Sequence, residues 1–210
     1  MKITKHVHSC LILEDQGKTV IIDPGKYGYD EYPLELHNSD VIDFVLITHE
    51  HGDHLYLPFI KKILSRYPKA SIICSERVTD ILKSENILSL NEGNSFIHLS
   101  FKQHERSIDP EVVPNTVFTV FNNFIHSGDN IEFSESGDII ALPIDCGLWG
   151  KVASAAERLV TLKPKFIVPI HDYRLKDEIK TDVFRRLGVY FKEHNIEFLP
   201  MKPYDTISIL

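Results

Sequence analysis

Cysteine is scarce in this chain: Cys10, Cys74 and Cys146 are the only three among 210 residues, odd in number and far apart. That argues against a disulfide framework, and the apolar neighbours of each thiol make all three read as reduced core residues of a cytoplasmic protein. Long apolar runs are missing as well. No stretch approaches the ~18 consecutive apolar residues of a membrane span. The opening MKITKHVHSCLILEDQGK breaks its apolar residues with Lys5, His6 and His8, so no signal-peptide core is expected there. Basic residues are outnumbered, 23 against 30 acidic, and the formal charge of -7 gives no general attraction to phosphate backbones or anionic lipid. A nucleic-acid or membrane partner is therefore not expected. There is no Gly-x-Ser-x-Gly elbow, no Gly-x-x-x-x-Gly-Lys phosphate loop, no low-complexity segment and no short repeat.

What is present is ordinary in amount: 43% hydrophobic and 25% charged residues, in a chain long enough to bury roughly 70% of its unfolded surface. The fold has to be read from pattern. SCLILED and KTVIIDPG, separated by Gln16-Gly17, read as two strands joined by a hairpin. GKYGYDEYP reads as a loop, and Val41 to Ile47 as a buried strand. Leu57 to Tyr67 carries Leu57, Ile60, Ile63 and Leu64 on one helical face. Ala70–Ser75 and Ser95–His104 are strand candidates with a helix over Glu76–Lys83, and NTVFTVF, NFIHSGD and DIIALPID continue as strands. KVASAAERLVTLKP reads as a helix stopped by Pro164, with Val152, Ala155, Ala156, Leu159 and Val160 as its buried stripe. KFIVPIHD is a strand, and a last helix spans 178–193 with Ile179, Val183, Leu187 and Phe191 every fourth residue, before the closing strand DTISIL. Two successive groups of strands, each followed by helices, predict an α+β fold of packed sheets inside outer helices, a four-layer αβ/βα sandwich. It is expected as one domain over 1–210 with two pseudo-symmetric halves, about 1–105 and 106–210.

The densest chemistry lies in THEHGDHL, residues 48–55, where three histidines and two carboxylates follow an apolar run. Imidazole nitrogen and carboxylate oxygen suit Zn²⁺ and neighbouring first-row metals. On a tight loop His49 and His51 can reach one ion while Asp53 and His54 turn toward a second, with Gly52 expected to permit the bend. Two ions cannot be completed by one loop, so further ligands are expected at strand ends downstream. His104, Asp129 and His171 stand where strand runs give way to loops. His98 has the same strand parity as His104, but it lies inside the apolar run, where a core histidine satisfied by a hydrogen bond is the ordinary outcome.

This ordered set, with HSC (8–10), IIDPG (21–25), PNTVF, HSGDN, LPID…LW and PIHD, resembles the metallo-β-lactamase superfamily over nearly the whole chain. Within it, the compact bacterial branch that includes ascorbate-phosphate lactonase-like hydrolases looks most similar. The resemblance implies a metallo-β-lactamase-like fold and two divalent ions, Zn first, with Mn or Fe as alternatives. His49, His51 and His104 would bind the first ion, Asp53, His54 and His171 the second, and Asp129 would bridge them, so that Asp53 and Asp129 also count as catalytic carboxylates. Such a pair would share a hydroxide able to attack an ester, lactone or phosphodiester in a small substrate. The di-iron redox branch usually carries Glu where this chain has His51. Only the 24 residues from Glu105 to Gly128 separate His104 from Asp129, too few for the inserted domain of the nuclease branches. Asp23 is expected to hydrogen-bond nearby amides and to orient a ligand. His8, His126 and Trp149 are expected near the site as structural, acid/base or substrate contacts, and Tyr27, Tyr29, Tyr32 and Leu148 as loop residues next to it. His6, His37 and His194 read as surface or packing residues. The alternative function is a non-catalytic metal-binding or sensor module of the same fold.

Overall fold

The structure, a computed structural model, describes residues 1–30, 41–104, 113–145 and 151–209. In chain order its elements are β1 (Lys2–Lys5), β2 (Leu11–Asp15), β3 (Lys18–Ile22), α1 (Lys26–Asp30), β4 (Phe44–Ile47), α2 (Leu57–Arg66), β5 (Ser71–Cys74) and α3 (Glu76–Ser84). There follow β6 (Ile97–Gln103), β7 (Pro114–Val120), β8 (Phe124–His126), β9 (Ile139–Pro143), α4 (Val152–Leu162), β10 (Phe166–Ile170), α5 (Asp177–Glu193), β11 (Glu197–Phe198) and β12 (Thr206–Ser208). They form two compact units, Met1–Asn94 with Lys202–Leu210, and Ser95–Met201.

The first unit holds a six-stranded sheet in the order β12-β1-β2-β3-β4-β5. The first three strands and β12 pair antiparallel, whereas β3, β4 and β5 pair parallel. Gln16 and Gly17 both lie at positive φ, 50° and 71°, the conformation a two-residue hairpin turn between β2 and β3 requires. Ile12, Ile21, Val45 and Ile72 stand in register across four strands and pack against Phe59, Ile60 and Ile63 of α2 and Val78 and Leu82 of α3. Leu13, Val20, Ile22, Leu46 and Ile73, on the opposite face, are equally buried. Burial on both faces explains why these strands read as unbroken apolar runs. Pro58 opens α2 and the Ser75 hydroxyl accepts the Val78 N–H to cap α3.

The second unit repeats the scheme with the order β11-β10-β9-β8-β7-β6. Strands β6, β7 and β8 pair antiparallel, and β8, β9, β10 and β11 pair parallel. Ile125, Ile140 and Ile167 align across the sheet and pack against Ala155, Ala156 and Leu159 of α4 and Leu187 and Phe191 of α5. Helix α4 ends on Lys163 in the left-handed region, followed by Pro164, which cannot continue a helix.

The α+β class expected from the sequence is the class observed. Several local expectations are corrected. GKYGYDEYP is not all loop: its described part contains α1, where Gly28 lies so close to the His6 ring that a Cβ would approach Nδ1 to 2.6 Å. The strand expected from Val41 begins at Phe44, with Val41 exposed. Ile179 is exposed, so the buried stripe of α5 begins later than its periodicity suggests. His98 is exposed, not a core residue, although its Nε2 does face Asn122 Oδ1 at 2.8 Å. Strands β1 and β11 were not anticipated. Among the described residues no helix is long and apolar enough to cross a membrane.

Candidate metal centre

Each sheet gathers its polar residues at one edge. In the first unit the parallel strands β3 and β4 end at Ile22 and Ile47, and Asp23 and Thr48 follow at once. In the second unit β8, β9 and β10 run parallel and are followed by Asp129, Asp145 and His171. Strand β6 runs antiparallel to β7, which runs antiparallel to β8, so β6 delivers His104 to that same edge. Carboxyl ends of parallel strands are the ordinary place for ligands to collect in such sheets.

The first unit fixes its histidines through Asp23, which is fully buried at positive φ (48°). Its Oδ1 accepts the Thr48 N–H at 2.8 Å, and its Oδ2 accepts the Thr48 hydroxyl at 2.8 Å and His54 Nδ1–H at 2.7 Å. A carboxylate so placed can only accept, so the ring proton of His54 sits on Nδ1 and Nε2 presents a lone pair. The Thr48 hydroxyl has spent its one proton on Asp23, so at 3.0 Å it accepts from His49 Nδ1–H. His49 therefore also presents Nε2, which stands 3.1 Å from His51 Nδ1. On the other side of the loop, Asp53 Oδ2 lies 3.2 Å from His8 Nε2. One ring nitrogen of His8, a carboxylate oxygen of Asp53 and one ring nitrogen of His54 all lie within 4.8 Å of one another. Glu50, the remaining titratable residue of the loop, turns instead to Arg77 Nε at 2.6 Å.

Gly52 is not the glycine that shapes this loop. Its φ is outside the left-handed region and a Cβ there would meet nothing within 4 Å. The demanding position is Gly25, where a Cβ would come 1.8 Å from the carbonyl oxygen of Asp53. Lys26 N–H donates to Gly52 O at 2.8 Å across the same junction. The Asp23-Pro24-Gly25 turn thus grips the backbone of the histidine loop. Gly25→Ala is expected to cost about 1–3 kcal/mol by overpacking and to lower metal affinity, read from urea unfolding and a metal titration on the same protein.

In the second unit one oxygen, Asp129 Oδ2, stands 3.2 Å from His104 Nε2 and 3.3 Å from His171 Nε2. His171, at φ 56°, donates Nδ1–H to the Asp145 carbonyl at 2.7 Å, so its Nε2 also carries a lone pair. Asn115, buried within β7, clamps the turn before the carboxylate: Oδ1 accepts Asp129 N–H at 3.1 Å and Nδ2 donates to Ser127 O at 2.9 Å. His126 is buried and its Nδ1 accepts Gly128 N–H at 3.3 Å, so it shapes the same turn.

Two kinds of contact are present. Those that place a proton on Nδ1 measure 2.7–3.0 Å, ordinary hydrogen bonds. His49–His51, His104–Asp129 and His171–Asp129 measure 3.1–3.3 Å, within hydrogen-bond reach and also close to the roughly 3.3 Å edge expected between two donors of one tetrahedral ion at bond lengths of about 2.0–2.1 Å. Lone pairs held toward one another at that spacing fit divalent cations.

The structure thus brings His49, His51, Asp53 and His54 together in the first unit, with Asp23 and His8 beside them, and His104, Asp129 and His171 together in the second. Tyr27 packs edge-on to His8 at 5.2 Å, and buried His6 packs on Phe59 and Tyr204. His194 is exposed at the end of α5. Trp149, Leu148, Tyr32, His37 and Cys146 lie outside the described residues. Cys10 and Cys74 are free, buried thiols. Burial, with the Asp23 carboxylate as a second cause, pushes the Cys10 thiol up, so it stays protonated and inert. Thr48, Asn115 and the Asp145 carbonyl are contributors that sequence reasoning missed. A hydroxyl directly before the first histidine and an asparagine inside an apolar strand were visible signals for the first two; a backbone carbonyl leaves none.

A family model described as a β-lactamase superfamily domain matches residues 2–171. A UPF0173 protein of Pyrococcus furiosus is 26% identical, with all of both chains covered. A UPF0173 metal-dependent hydrolase of Archaeoglobus fulgidus is also 26% identical, over 98% of each chain. Among solved structures, Igni18, a metallo hydrolase of Ignicoccus hospitalis, matches with a TM-score of 0.71 at 20% identity, covering 98% of this chain and 97% of its own. An isothiocyanate hydrolase from Delia radicum gut bacteria matches with a TM-score of 0.66 at 21% identity, over 100% and 99%. With the family model spanning most of its length, and the histidines and carboxylates standing at the strand ends where the motif calls for them, this chain belongs to the metallo-β-lactamase superfamily.

Proposed function

We propose that the protein is a metal-dependent hydrolase that uses two divalent ions, Zn²⁺ first and Mn²⁺ or Fe²⁺ as alternatives, to cleave an ester, lactone or phosphodiester bond in a small substrate. The observation that carries this reading is the oxygen acceptor held against Nδ1 of His49, His54 and His171, which leaves Nε2 of each as the ligand atom; that of His49 faces His51 Nδ1 and that of His171 faces Asp129 Oδ2. The names of the metal-dependent hydrolases among the relatives support it. His49, His51 and His104 would hold one ion, Asp53, His54 and His171 the other, with Asp129 shared between them. Two such ions, when bound, supply water made reactive at neutral pH and a Lewis acid for the developing oxyanion.

The chain's own part is to hold. Asp23 and Thr48 fix the tautomers of two histidines and the Asp145 carbonyl fixes a third, so on these three no proton has to move before metal binds. Asn115 fixes the Asp129 backbone independently of the carboxylate. The test is a chelator-stripped preparation reloaded with Zn²⁺, Mn²⁺ or Fe²⁺ and assayed on p-nitrophenyl acetate, a lactone panel and bis-p-nitrophenyl phosphate. Two equivalents of metal and a rate on at least one class that disappears with stripping and returns with metal are expected. Protein that takes up no transition metal under any loading, or that hydrolyses equally well when stripped, overturns the proposal. One inert, non-exchanging ion with no hydrolysis would point to the sensor alternative.

A further inference from the structure

The loop between β1 and β2 carries features that a mere connection does not need. It reverses within residues 6–10, closed by Cys10 N–H to Val7 O and His6 N–H to Cys10 O, both at 2.9 Å. At its tip His8 sits in the left-handed region, φ 59°, which is unfavourable for a non-glycine residue and persists only if its surroundings over-determine it. The surroundings include Lys5, one of the largest fully buried side chains, whose Nζ donates to His8 O at 2.6 Å. Burying an ammonium is unfavourable unless it is paired, so its placement under this carbonyl is a strong constraint on the loop. The His8 ring is buried, edge-on to Tyr27 at 5.2 Å and 5.9 Å from His54, and its Nε2 reaches Asp53 Oδ2 at 3.2 Å. The Asp53 carbonyl in turn lies hard against Gly25, and Lys26 N–H holds the adjacent Gly52 carbonyl at 2.8 Å. Both ends of the His8–Asp53 contact are thus fixed by the backbone.

We infer that Lys5 and His8 are positioning residues for Asp53: Lys5 locks the His8 backbone, and His8 donates Nε2–H to Asp53 Oδ2, committing Oδ1 to the metal. This rests on the proposed two-ion hydrolase. A carboxylate ligand has two oxygens that can swing between one-oxygen and two-oxygen binding; a donor on the outer oxygen removes that freedom and leaves a coordination position open for water. His8 in this role shapes the ion's surroundings without being counted among its ligands.

The test uses the full metal-loaded chain and reads metal, not only turnover. His8→Ala, His8→Gln and Lys5→Met are compared with the unaltered protein by chelator competition for Zn²⁺ and by the visible spectrum after Co²⁺ substitution. His8→Ala is expected to weaken one of the two equivalents by about 10–100-fold, leave the other unchanged and alter the Co²⁺ bands. His8→Gln, whose side-chain amide can still donate, recovers affinity to within a few-fold, and Lys5→Met shifts the same equivalent by less. The inference is overturned if His8→Ala keeps both affinities and the spectrum, or if folded His8→Gln behaves as His8→Ala does. An unaltered protein that binds fewer than two ions instead overturns the two-ion reading on which the inference stands.

Discussion

Asp129→Ala is expected to lower kcat/KM by about 10³-fold or more on whichever substrate class the protein hydrolyses, with metal in excess, while the circular dichroism spectrum stays that of the unaltered chain. The reason lies in how the residue is held. Its side-chain Oδ2 stands between His104 Nε2 and His171 Nε2, at 3.2 and 3.3 Å, so both imidazoles face this one oxygen. Its backbone is secured separately, through the N–H donated to Asn115 Oδ1, so deleting the carboxylate leaves the turn in place. Loss of activity would then report loss of charge at the proposed metal site rather than loss of fold. Asp129→Asn sharpens the point, since the amide keeps the volume and one oxygen but removes the negative charge that two cations would share. Steady-state kinetics with metal analysis of the same samples checks both; a rate unchanged by either substitution assigns the measured activity to another site or to a contaminant.

How far such a site could be foreseen depended on whether its parts were contiguous and on whether their chemistry matched their usual location. His49, His51, Asp53 and His54 were readable together because one loop carries them after an apolar strand. His104, Asp129 and His171 were readable because each stands where an apolar run gives way to a loop, the place where ligand residues collect in such sheets. Lys5 was not readable: lysine is among the residues least often fully buried, and its strand β1 offers only Ile3 as an apolar residue. Helix α1 was hidden for a related reason. Five residues including two tyrosines and a glycine have little intrinsic helicity, and what holds them is tertiary: Gly28 against His6 and Tyr29 against Phe59. The role expected of Gly52 falls to Gly25 instead, because sequence shows which glycines lie near a motif but not which one another backbone approaches. His98 misled for the opposite reason: β6 lies at the sheet's edge, where even its apolar run leaves His98, Phe101 and Gln103 in solvent.

Asp23→Ala should produce the largest loss of stability of any single change at the site, about 3–5 kcal/mol in metal-free protein, together with a loss of metal affinity of about 10–100-fold. Three donors converge on this carboxylate, the Thr48 N–H, the Thr48 hydroxyl and His54 Nδ1–H, and all belong to buried residues. Alanine strands all three, and the stranded Thr48 hydroxyl no longer dictates the tautomer of His49. The revealing variant is Asp23→Asn. Asparagine tolerates the left-handed backbone at φ 48°, so conformational strain does not confuse the result. Its single carbonyl oxygen can replace only one of the two carboxylate oxygens, and its NH₂ would face donors where an acceptor is required. Whichever way the amide turns, either the Thr48 N–H or the pair formed by the Thr48 hydroxyl and His54 Nδ1–H loses its acceptor. Asn should therefore behave much more like Ala than its size suggests, in urea unfolding of the stripped protein and in metal titration of the folded one. An Asn variant that kept both the stability and the metal affinity of the unaltered chain would show that Asp23 does not set the proton positions on His49 and His54, and that these histidines are not pre-arranged for metal in the way proposed.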